Sequence, residues 1–294
     1  MALSIGLIVR PLAGAEELGF LRKSVEELRE RGHRVTPRLT FEAGDGTRLA
    51  RAAAGGRYDL VVAVGGDGTV NEVVNGLVRS PWQPRLGIVP MGTANDFAAG
   101  LDLPSDPGEA LRVAVHGHPT AVDVAHANDR RFINVSTGGF GAEASEDAPP
   151  EAKRRLGTWA YVITGVRKFA ELRPTRARFL AGEQVVFEGR FLLFAVGNAR
   201  RTGGGSRLTP RAEFGDGLLD LLVVPEMPTM EFIALLPDLR RGTHVNRPEV
   251  IYEQAPGFRV EAERTLSVNV DGEPLRAKRI DYGLAERPLS VMAP

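Results

Sequence analysis

Short apolar runs alternate with segments of helical periodicity over the first part of the chain. Leu3 to Val9 is a mainly apolar run of strand length, and Val35 to Phe41 is a second strand-like segment. Apolar residues instead recur every three or four positions in three further segments, Glu16 to Arg31, about Thr47 to Ala54, and Pro107 to Val115. Because alternating strands and helices are typical of a doubly wound parallel sheet, we predict an α/β N-terminal domain over residues 1–122.

The pattern changes after about Val122, where strand-like runs separated by Gly, Asn and Pro become dominant. These runs are Ala121–Ala127, Arg131–Ser136, Thr175–Leu180, Gln184–Val196, Leu218–Val224, Phe258–Ala262 and Leu266–Val270. Two helical segments interrupt them, Glu151–Leu172 and Thr229–Arg240, and the strand-like run Ile280–Met292 ends the chain. Because many short strands in succession are typical of a sandwich, we predict a mainly antiparallel β-sandwich C-terminal domain over residues 123–279.

The most informative local signal is the junction between an apolar run and a helical pattern at Val61–Asn75. Gly65, Gly66 and Gly68 surround Asp67 at this junction. Glycines allow backbone N–H groups to approach an anion, and the N-terminus of a helix adds positive potential. The loop has no lysine, so it is not the common P-loop, and N–H groups, a metal or a remote arginine must meet the charge of a bound polyphosphate.

Asp67 and the helix start support different interpretations of this loop. A carboxylate at Asp67 would repel a phosphate unless it binds a metal or orients a water. Thr69 and Glu72, however, have the spacing of a capping box, which is also found at an ordinary helix start after a buried strand.

A second unit of the same kind follows. Leu86–Pro90 is a short strand pattern, and Met91–Ala98 is a loop and helix start. We expect Thr93 to cap this helix and Asp96 to lie in its first turn. Two such units in close succession place both loops at the carboxyl edge of a parallel sheet, where ligands bind.

The amino-acid composition argues against some classes of protein, among them nucleic-acid binders and disulfide-bonded proteins. The chain has 294 residues, of which 43% are hydrophobic and 25% charged, and Lys+Arg 37 balance Asp+Glu 37. We therefore expect no nucleic-acid partner, since such binders usually carry a basic excess. The absence of cysteine excludes disulfides and thiolate metal sites and fits a reducing compartment.

The apolar stretches of the sequence are too short to cross a membrane. No basic segment followed by a long apolar region stands at the N-terminus, so we expect no signal peptide and a cytoplasmic location. Phe191–Val196, one of the longest apolar stretches, falls well below the roughly 20 residues that a bilayer span needs. Such a protein would reach any substrate in a membrane only by peripheral and transient contact.

The two glycine motifs together resemble the catalytic domain of diacylglycerol kinases. The first, Gly65–Thr69 with Asn71-Glu72, is shared with NAD kinases and phosphofructokinases, whereas the block Gly92–Ala98 separates lipid kinases from both. Later segments resemble the bacterial YegS-like lipid kinases in order and spacing, so that the resemblance covers essentially the whole chain. These segments are Gly197–Gly205, Leu208–Pro210, Asp216–Asp220 and Asp271–Leu275. One departure is Arg10, which stands where the family usually has an asparagine.

The resemblance implies ATP as co-substrate and Mg²⁺ as cofactor. It places ATP on residues of the first domain, Thr40, Gly65, Gly66, Asp67, Gly68, Thr69, Val70, Asn71 and Thr93. It places Mg²⁺ on the Asp216 carboxylate and the backbone carbonyls of Glu213 and Leu218, a ligand set that suits a hard cation. It also implies that the end of the chain, about 280–294, returns to the first domain.

The same resemblance makes Glu273 the general base for the acceptor hydroxyl. Asp271 is the second candidate, and Asp67 completes the predicted catalytic carboxylates. Taken alone, Asp216-Gly217 and Asp271-Gly272 are also ordinary hairpin signals.

Other residues leave alternatives open. Asp123 either joins Asp67 and Asp216 through waters and magnesium or is a satisfied turn acid. Arg200 and Arg201 either hold phosphate or a lipid head group or are solvated. The helix Glu151–Leu172 has an apolar side flanked by basic residues, so it either lies on an anionic membrane or faces the core.

These observations favour an ATP- and magnesium-dependent lipid kinase. Its acceptor would be a lipid hydroxyl, as in diacylglycerol or phosphatidylglycerol, that enters a cleft between the domains. NAD kinase-like phosphorylation of a soluble dinucleotide explains the first loop but not Gly92–Ala98. A non-catalytic lipid or nucleotide binder is a third hypothesis, and a homodimer stays open.

Overall fold

A computed structural model describes residues 2–11, 15–139 and 174–294. The helix predicted at Glu151–Leu172 lies outside these residues. The chain divides into two compact units, Met1–Val122 with Arg287–Pro294, and Asp123–Glu286. No helix in the described ranges is long and apolar enough to cross a membrane.

The elements are numbered in chain order. The strands are β1 Ser4–Val9, β2 Arg34–Leu39, β3 Leu60–Gly65, β4 Arg85–Pro90, β5 His118–Val122, β6 Ala125–Ala127, β7 Arg130–Phe132, β8 Val135–Gly139, β9 Thr175–Ala181, β10 Gln184–Gly197, β11 Leu219–Pro225, β12 Ile251–Ala255, β13 Phe258–Val270, β14 Glu273–Leu284 and β15 Leu289–Ala293. The helices are α1 Ala15–Glu30, α2 Asp45–Gly55, α3 Asp67–Val78, α4 Asp96–Gly100, α5 Pro107–His116 and α6 Thr229–Arg241, and a short 3₁₀ helix spans His244–Asn246.

The first unit is built on a six-stranded sheet in the order β2-β1-β3-β4-β15-β5. Its neighbours pair in parallel except for β15 and β5, which are antiparallel. Every residue of β3 is buried, as is nearly every residue of β1 and β4. Strands buried on both faces require continuous apolar sequence, which is what Val61 to Val64 provides. The predicted α/β fold is therefore confirmed.

The second unit contains a nine-stranded sheet whose described pairings are all antiparallel. Its path runs β12-β11-β10-β8-β13-β14-β6-β7, and β9 pairs with both β10 and β13. Phe179, Phe191 and Phe194 meet edge to face in its core, with ring centroids 5.2–5.6 Å apart. Helix α6 packs through Phe232 and Leu239 in a separate apolar cluster. The predicted β-sandwich domain is confirmed.

Two of the predicted strands are each divided into two strands in the structure. Ala121–Ala127 is not one strand, because the chain leaves the first sheet after β5 and joins the second at β6. Arg131–Ser136 is divided between β7 and β8, because the N–H groups of Ile133 and Asn134 bond to a carboxylate rather than to a strand.

Two further boundaries follow from sheet pairing. The runs Phe258–Ala262 and Leu266–Val270 form the single strand β13, which passes a register shift between Glu261 and Leu266. Ile280–Met292 is two strands, since β14 ends at Leu284 and Pro288 precedes β15. The return to the first unit thus begins at Arg287. Strand β12 was not predicted.

Candidate active site

The two glycine loops of the first unit lie side by side at the carboxyl edge of the sheet. Strands β3 and β4 pair in parallel with Gly65 opposite Pro90, and the Met91 N–H donates to the Gly65 carbonyl at 2.9 Å. A Cβ atom added at Gly92 would lie 2.4 Å from the Cα of Gly66. The loops therefore pack backbone against backbone, which only glycine allows at this point.

Asp67 ties the loops together. It is the first residue of α3, and its carboxylate accepts the Asp96 and Phe97 N–H groups at 3.2 and 3.1 Å. These groups begin α4, so the carboxylate satisfies the start of a helix that belongs to the second loop. Each oxygen accepts one of these bonds and has a further lone pair for a water or a metal.

Neither loop uses the helix cap that the spacing of its residues suggested. Gly66, not Thr69, is the N-cap of α3, because the helix begins at Asp67. The Glu72 carboxylate instead accepts the N–H groups of Gly44 and Gly46 at 3.0 and 2.8 Å, and so joins α2 to α3.

In the second loop Asn95, not Thr93, is the N-cap of α4. Asn95 has φ 51°, and its side chain forms hydrogen bonds of 2.9 and 3.0 Å with the backbone of Gly92. Thr93 is exposed on the loop surface. The loop is thus closed from within and presents Thr93 to solvent.

The other predicted nucleotide residues extend along the same edge. Thr40 follows β2, is 9% exposed, and donates its N–H to the Val9 carbonyl at 2.9 Å. The Arg10 N–H donates to the Val64 carbonyl at 3.0 Å, and the Arg10 side chain is exposed. The ends of β2, β1, β3 and β4 therefore form one continuous rim that leads to the N-terminus of α3, where positive potential favours an anion.

The predicted metal residues lie in a loop of the second unit that precedes β11. One Asp216 oxygen accepts the Leu218 N–H at 2.9 Å, and Asp123 accepts the Gly217 N–H at 2.9 Å. Asp216-Gly217 is not a tight hairpin turn, because β10 ends at Gly197 and its antiparallel neighbour β11 begins only at Leu219. Asp123 therefore contacts the Asp216 loop through this bond, and its part in a metal site stays a prediction.

Arg200 is committed to this loop. Its guanidinium donates to the Glu213 carboxylate and to the Ala212 carbonyl, both at 2.9 Å. The Glu213 side chain is thereby paired, whereas its backbone carbonyl is the group predicted to hold the metal. In the described part of the chain no three His, Cys, Asp or Glu side chains cluster to hold a metal.

Asp220 is the last residue of the Asp216–Asp220 segment, and the sequence pattern assigned no role to it. It is fully buried in β11, and Tyr252 and Gln254 donate to its oxygens. Burial raises the pKa of Asp220 to about 6, with a smaller contribution from the neighbouring Asp216. The sequence does contain a sign of this buried acid, because Asp220 is a charged residue inside the apolar run Leu219 to Val224.

The Asp271-Gly272 pair is the hairpin turn between β13 and β14. Both residues have positive φ, 48° and 93°, as a two-residue turn of type I′ requires. The Asp271 carboxylate accepts the N–H groups of Ile133, Asn134 and Val135, at 2.7, 3.2 and 3.1 Å. It holds a distant segment in place, which makes it a weaker candidate for a proton acceptor than Glu273.

Glu273 begins β14, and 61% of its side chain is exposed. Its carboxylate pairs with the guanidinium of Arg130, with nitrogen and oxygen 2.5 Å apart. The pair holds an accessible carboxylate in one orientation, which suits a group that accepts a proton from an approaching hydroxyl. Arg130 carried no signal in the sequence, because one arginine in a polar strand resembles any other.

Asn198 connects these features within the second unit. It is 1% exposed, and its amide donates to the carbonyls of Asp123 and Ile133, at 2.9 and 3.1 Å. Asp123 holds the Asp216 loop, and Ile133 is held by Asp271. A buried asparagine at the end of an apolar strand was the available signal.

The sequence matches two family models. Residues 4–127 match the diacylglycerol kinase catalytic domain, and residues 134–291 match the YegS C-terminal NAD kinase beta sandwich-like domain. A curated protein of Chromohalobacter salexigens, named probable lipid kinase YegS-like, is 42% identical over 282 residues, which cover 95% of this chain and 90% of the relative. The diacylglycerol kinase of Staphylococcus aureus strain RF122 is 35% identical over 289 residues, 98% of this chain and 91% of that protein.

Solved structures agree on the fold. A crystal structure of a diacylglycerol kinase from Bacillus anthracis aligns over 99% of this chain and 97% of its own, with TM-score 0.77 and 25% identity. An NAD kinase from Archaeoglobus fulgidus in complex with ATP aligns over 98% and 93%, with TM-score 0.56 and 15% identity, which is a likeness of fold alone.

Proposed function

The chain belongs to the family of diacylglycerol kinases and YegS-like lipid kinases, and from that premise we propose a specific reaction for it. It transfers the γ-phosphoryl group of ATP to a hydroxyl of a lipid such as diacylglycerol or phosphatidylglycerol. The reaction depends on Mg²⁺ and takes place at a membrane surface that the enzyme contacts peripherally.

One observation carries this proposal, the backbone contact between the glycine loops. Gly66 packs on Gly92, and Asp67 fixes the start of α4. The block Gly92–Ala98 is thus part of the same structure as the first loop. Phosphorylation of a soluble dinucleotide gives this block no role, which is why the lipid reaction is preferred.

The first unit supplies the nucleotide site. Thr40, Gly65–Asn71 and Thr93 occupy the carboxyl rim and the start of α3. Backbone N–H groups in these loops meet phosphate oxygens without side-chain charge, and Arg10 adds a cation on the same rim. Fixed donors of this kind position the phosphates, which is most of what catalysis of phosphoryl transfer requires.

The Asp216 loop fits a divalent cation. The second Asp216 oxygen and the carbonyls of Glu213 and Leu218 are hard oxygen donors, the class that Mg²⁺ prefers. Asp123 and Arg200 hold the loop from either side, so these donors are fixed by their neighbours. When bound, the cation would neutralise charge on the transferred phosphoryl group.

Glu273 accepts the proton of the acceptor hydroxyl. Its exposure gives a lipid head group access, and Arg130 holds its orientation. An alcohol attacks phosphorus more readily when its proton has an acceptor within hydrogen-bond reach. Asp271 maintains the turn from which Glu273 projects.

The test is a transfer assay with labelled ATP and MgCl₂. Mixed micelles would carry diacylglycerol, phosphatidylglycerol or a long-chain base, and a parallel reaction would contain NAD without lipid. We expect label in a lipid and none in NAD. Labelled NAD would replace the proposal with dinucleotide phosphorylation, and no labelled product with intact ATP binding would indicate a non-catalytic binder.

A further inference from the structure

Phe41 is exposed far beyond the norm for a large apolar side chain. It is 83% exposed, against 43% for Leu39 on the same strand end and 46% for Trp82. It follows Thr40 directly at the carboxyl end of β2. An exposed aromatic ring on the ligand-binding edge of a parallel sheet is a candidate contact for a ligand.

The sheet order places Phe41 at a useful distance from the first glycine loop. β2 and β3 flank β1, so their ends lie about 10 Å apart at the usual strand spacing. On the other side of β3, the rim is occupied by the loop that packs Gly92 on Gly66. A nucleotide whose phosphates lie on Gly65–Asn71 would therefore extend its nucleoside away from that loop, towards the ends of β1 and β2.

Hydrogen bonds fix the backbone beneath this ring. The Phe41 N–H donates to the Asp45 carboxylate at 2.9 Å, and this bond is the main reason that the pKa of Asp45 is lowered to about 2. The N–H groups of Gly44, which caps α2, and of Gly46, in the first turn of α2, donate to Glu72 of α3. The loop that carries Phe41 is thus attached to the helix that begins at the first glycine loop.

We propose that the Phe41 ring is the stacking platform for the nucleobase of the phosphate donor. The inference rests on the proposed use of ATP and adds the group that receives its base. A pre-fixed aromatic face stacks on any base, and such stacking contributes about 1–3 kcal/mol. It therefore strengthens binding of ATP and GTP alike and leaves a base-free polyphosphate unaffected.

The test compares Phe41→Ala, Phe41→Trp and wild type by calorimetric titration with ATP, GTP and inorganic tripolyphosphate in MgCl₂. The alanine variant should bind ATP and GTP about 5- to 150-fold more weakly, the range that corresponds to the stacking energy. The tryptophan variant should bind both nucleotides as tightly as wild type, and tripolyphosphate should bind all three proteins equally. Met230→Ala is the matched control, because Met230 is 74% exposed and lies in the second unit.

The outcomes separate this inference from the proposed function. If wild type binds ATP and Phe41→Ala binds it equally well, the stacking role is wrong while the kinase proposal stands. If Phe41→Ala keeps its ATP affinity but binds less to vesicles of phosphatidylglycerol and phosphatidylethanolamine, the ring is a membrane contact instead. If wild type binds neither ATP nor tripolyphosphate, both proposals fail.

Discussion

The structural role of a single polar residue in this protein depends on the groups that its side chain contacts. Asp67, Asp271 and Glu273 are all carboxylates next to glycines, yet each has a different partner. Asp67 accepts N–H groups of α4, Asp271 accepts N–H groups of the segment before β8, and Glu273 forms an ion pair with Arg130. Glu273 alone of the three combines high exposure with a side-chain partner that orients it, which suits a proton acceptor.

Glu273→Gln tests that assignment. The substitution keeps size and hydrogen-bonding reach but removes the proton acceptor, so turnover should fall by roughly 10²–10⁴-fold. ATP affinity should change little, because the loops proposed to bind ATP belong to the first unit. Turnover and ATP affinity are measured separately, and Glu183→Gln, an exposed acid in the turn before β10, is the control.

Two results would reject the role of Glu273. Turnover within a few-fold of wild type would show that it is not the base, and Asp271 would be tested next. A collapse of ATP binding would instead place Glu273 in the nucleotide or metal site.

Side chains of one helix form hydrogen bonds with the N-terminal backbone of a neighbouring helix, so that these helices are joined in pairs. Helices α2 and α3 are joined by Glu72, and the starts of α3 and α4 are joined by Asp67. These bonds link the β2, β3 and β4 loops into one rim. A change in one loop should therefore affect nucleotide binding through the others.

Gly66→Val tests the contact between the loops. ATP with MgCl₂ should raise the melting temperature of wild type, since a ligand of the folded state stabilises it. A Cβ atom at Gly66 would lie 3.1 Å from the Cα of Gly92, so valine should displace the second loop and abolish the rise. In Gly55→Ala, where a Cβ meets open space, the rise should persist. An undiminished rise in Gly66→Val would remove this loop from the nucleotide site.

Asp216→Ala tests the loop before β11 as a metal site. Loss of its carboxylate should raise the MgCl₂ concentration needed for half-maximal activity and lower the maximal rate together, because the remaining ligands are carbonyls. The measurement is a magnesium titration of the transfer assay. Asp129→Ala removes another exposed acid of the second unit and should leave the titration unchanged. An unchanged titration in Asp216→Ala would make Asp216 a turn residue only.

On the scale of the whole molecule, buried titratable groups make stability depend on pH. His244 is fully buried, and its ring nitrogens lie 3.0 Å from the Leu208 carbonyl and 3.3 Å from the Asp238 carbonyl. Burial lowers the pKa of His244 below its ordinary value of 6.5, although Asp238 favours the charged ring. The unfolded chain therefore binds a proton more readily than the folded protein does.

Because the pKa of His244 is lower in the folded protein than in the unfolded chain, its contribution to stability should decrease in acid. The contribution of neutral His244 is complete above pH 6.5 and is lost as pH falls below that value. His244→Gln removes the titration, so its melting temperature should fall less than that of wild type between pH 7 and pH 5. Thermal unfolding across this range checks the difference, and parallel curves would show that His244 does not control it. His118→Gln, an exposed histidine, is the control.

The sequence by itself determined the architecture and the places where loops meet the sheet edge. Continuous apolar strands, helical periodicity and glycine after β3 and β4 are local patterns, and parallel topology then places both loops at one edge. The Asp271-Gly272 turn was predicted for the same reason, since positive φ at both positions depends on the two residues themselves. The tail was predicted less well, because Ile280 and Met292 are equally strand-like although they pair in different sheets.

Only the tertiary structure decided which polar groups meet. Arg130 and Glu273 are 143 residues apart in the chain, and Ile133 and Asp271 are 138 apart. A carboxylate accepts any donor within reach, so its own neighbours in sequence do not specify which donor packing will bring to it. That is why the spacing of Thr69 and Glu72 matched a capping box, one of two interpretations of this loop, although no such box forms. Packing brought the N–H groups at the start of α2 to the Glu72 carboxylate. A side chain of α3 therefore accepts the hydrogen bonds that the first turn of α2 cannot make within its own helix.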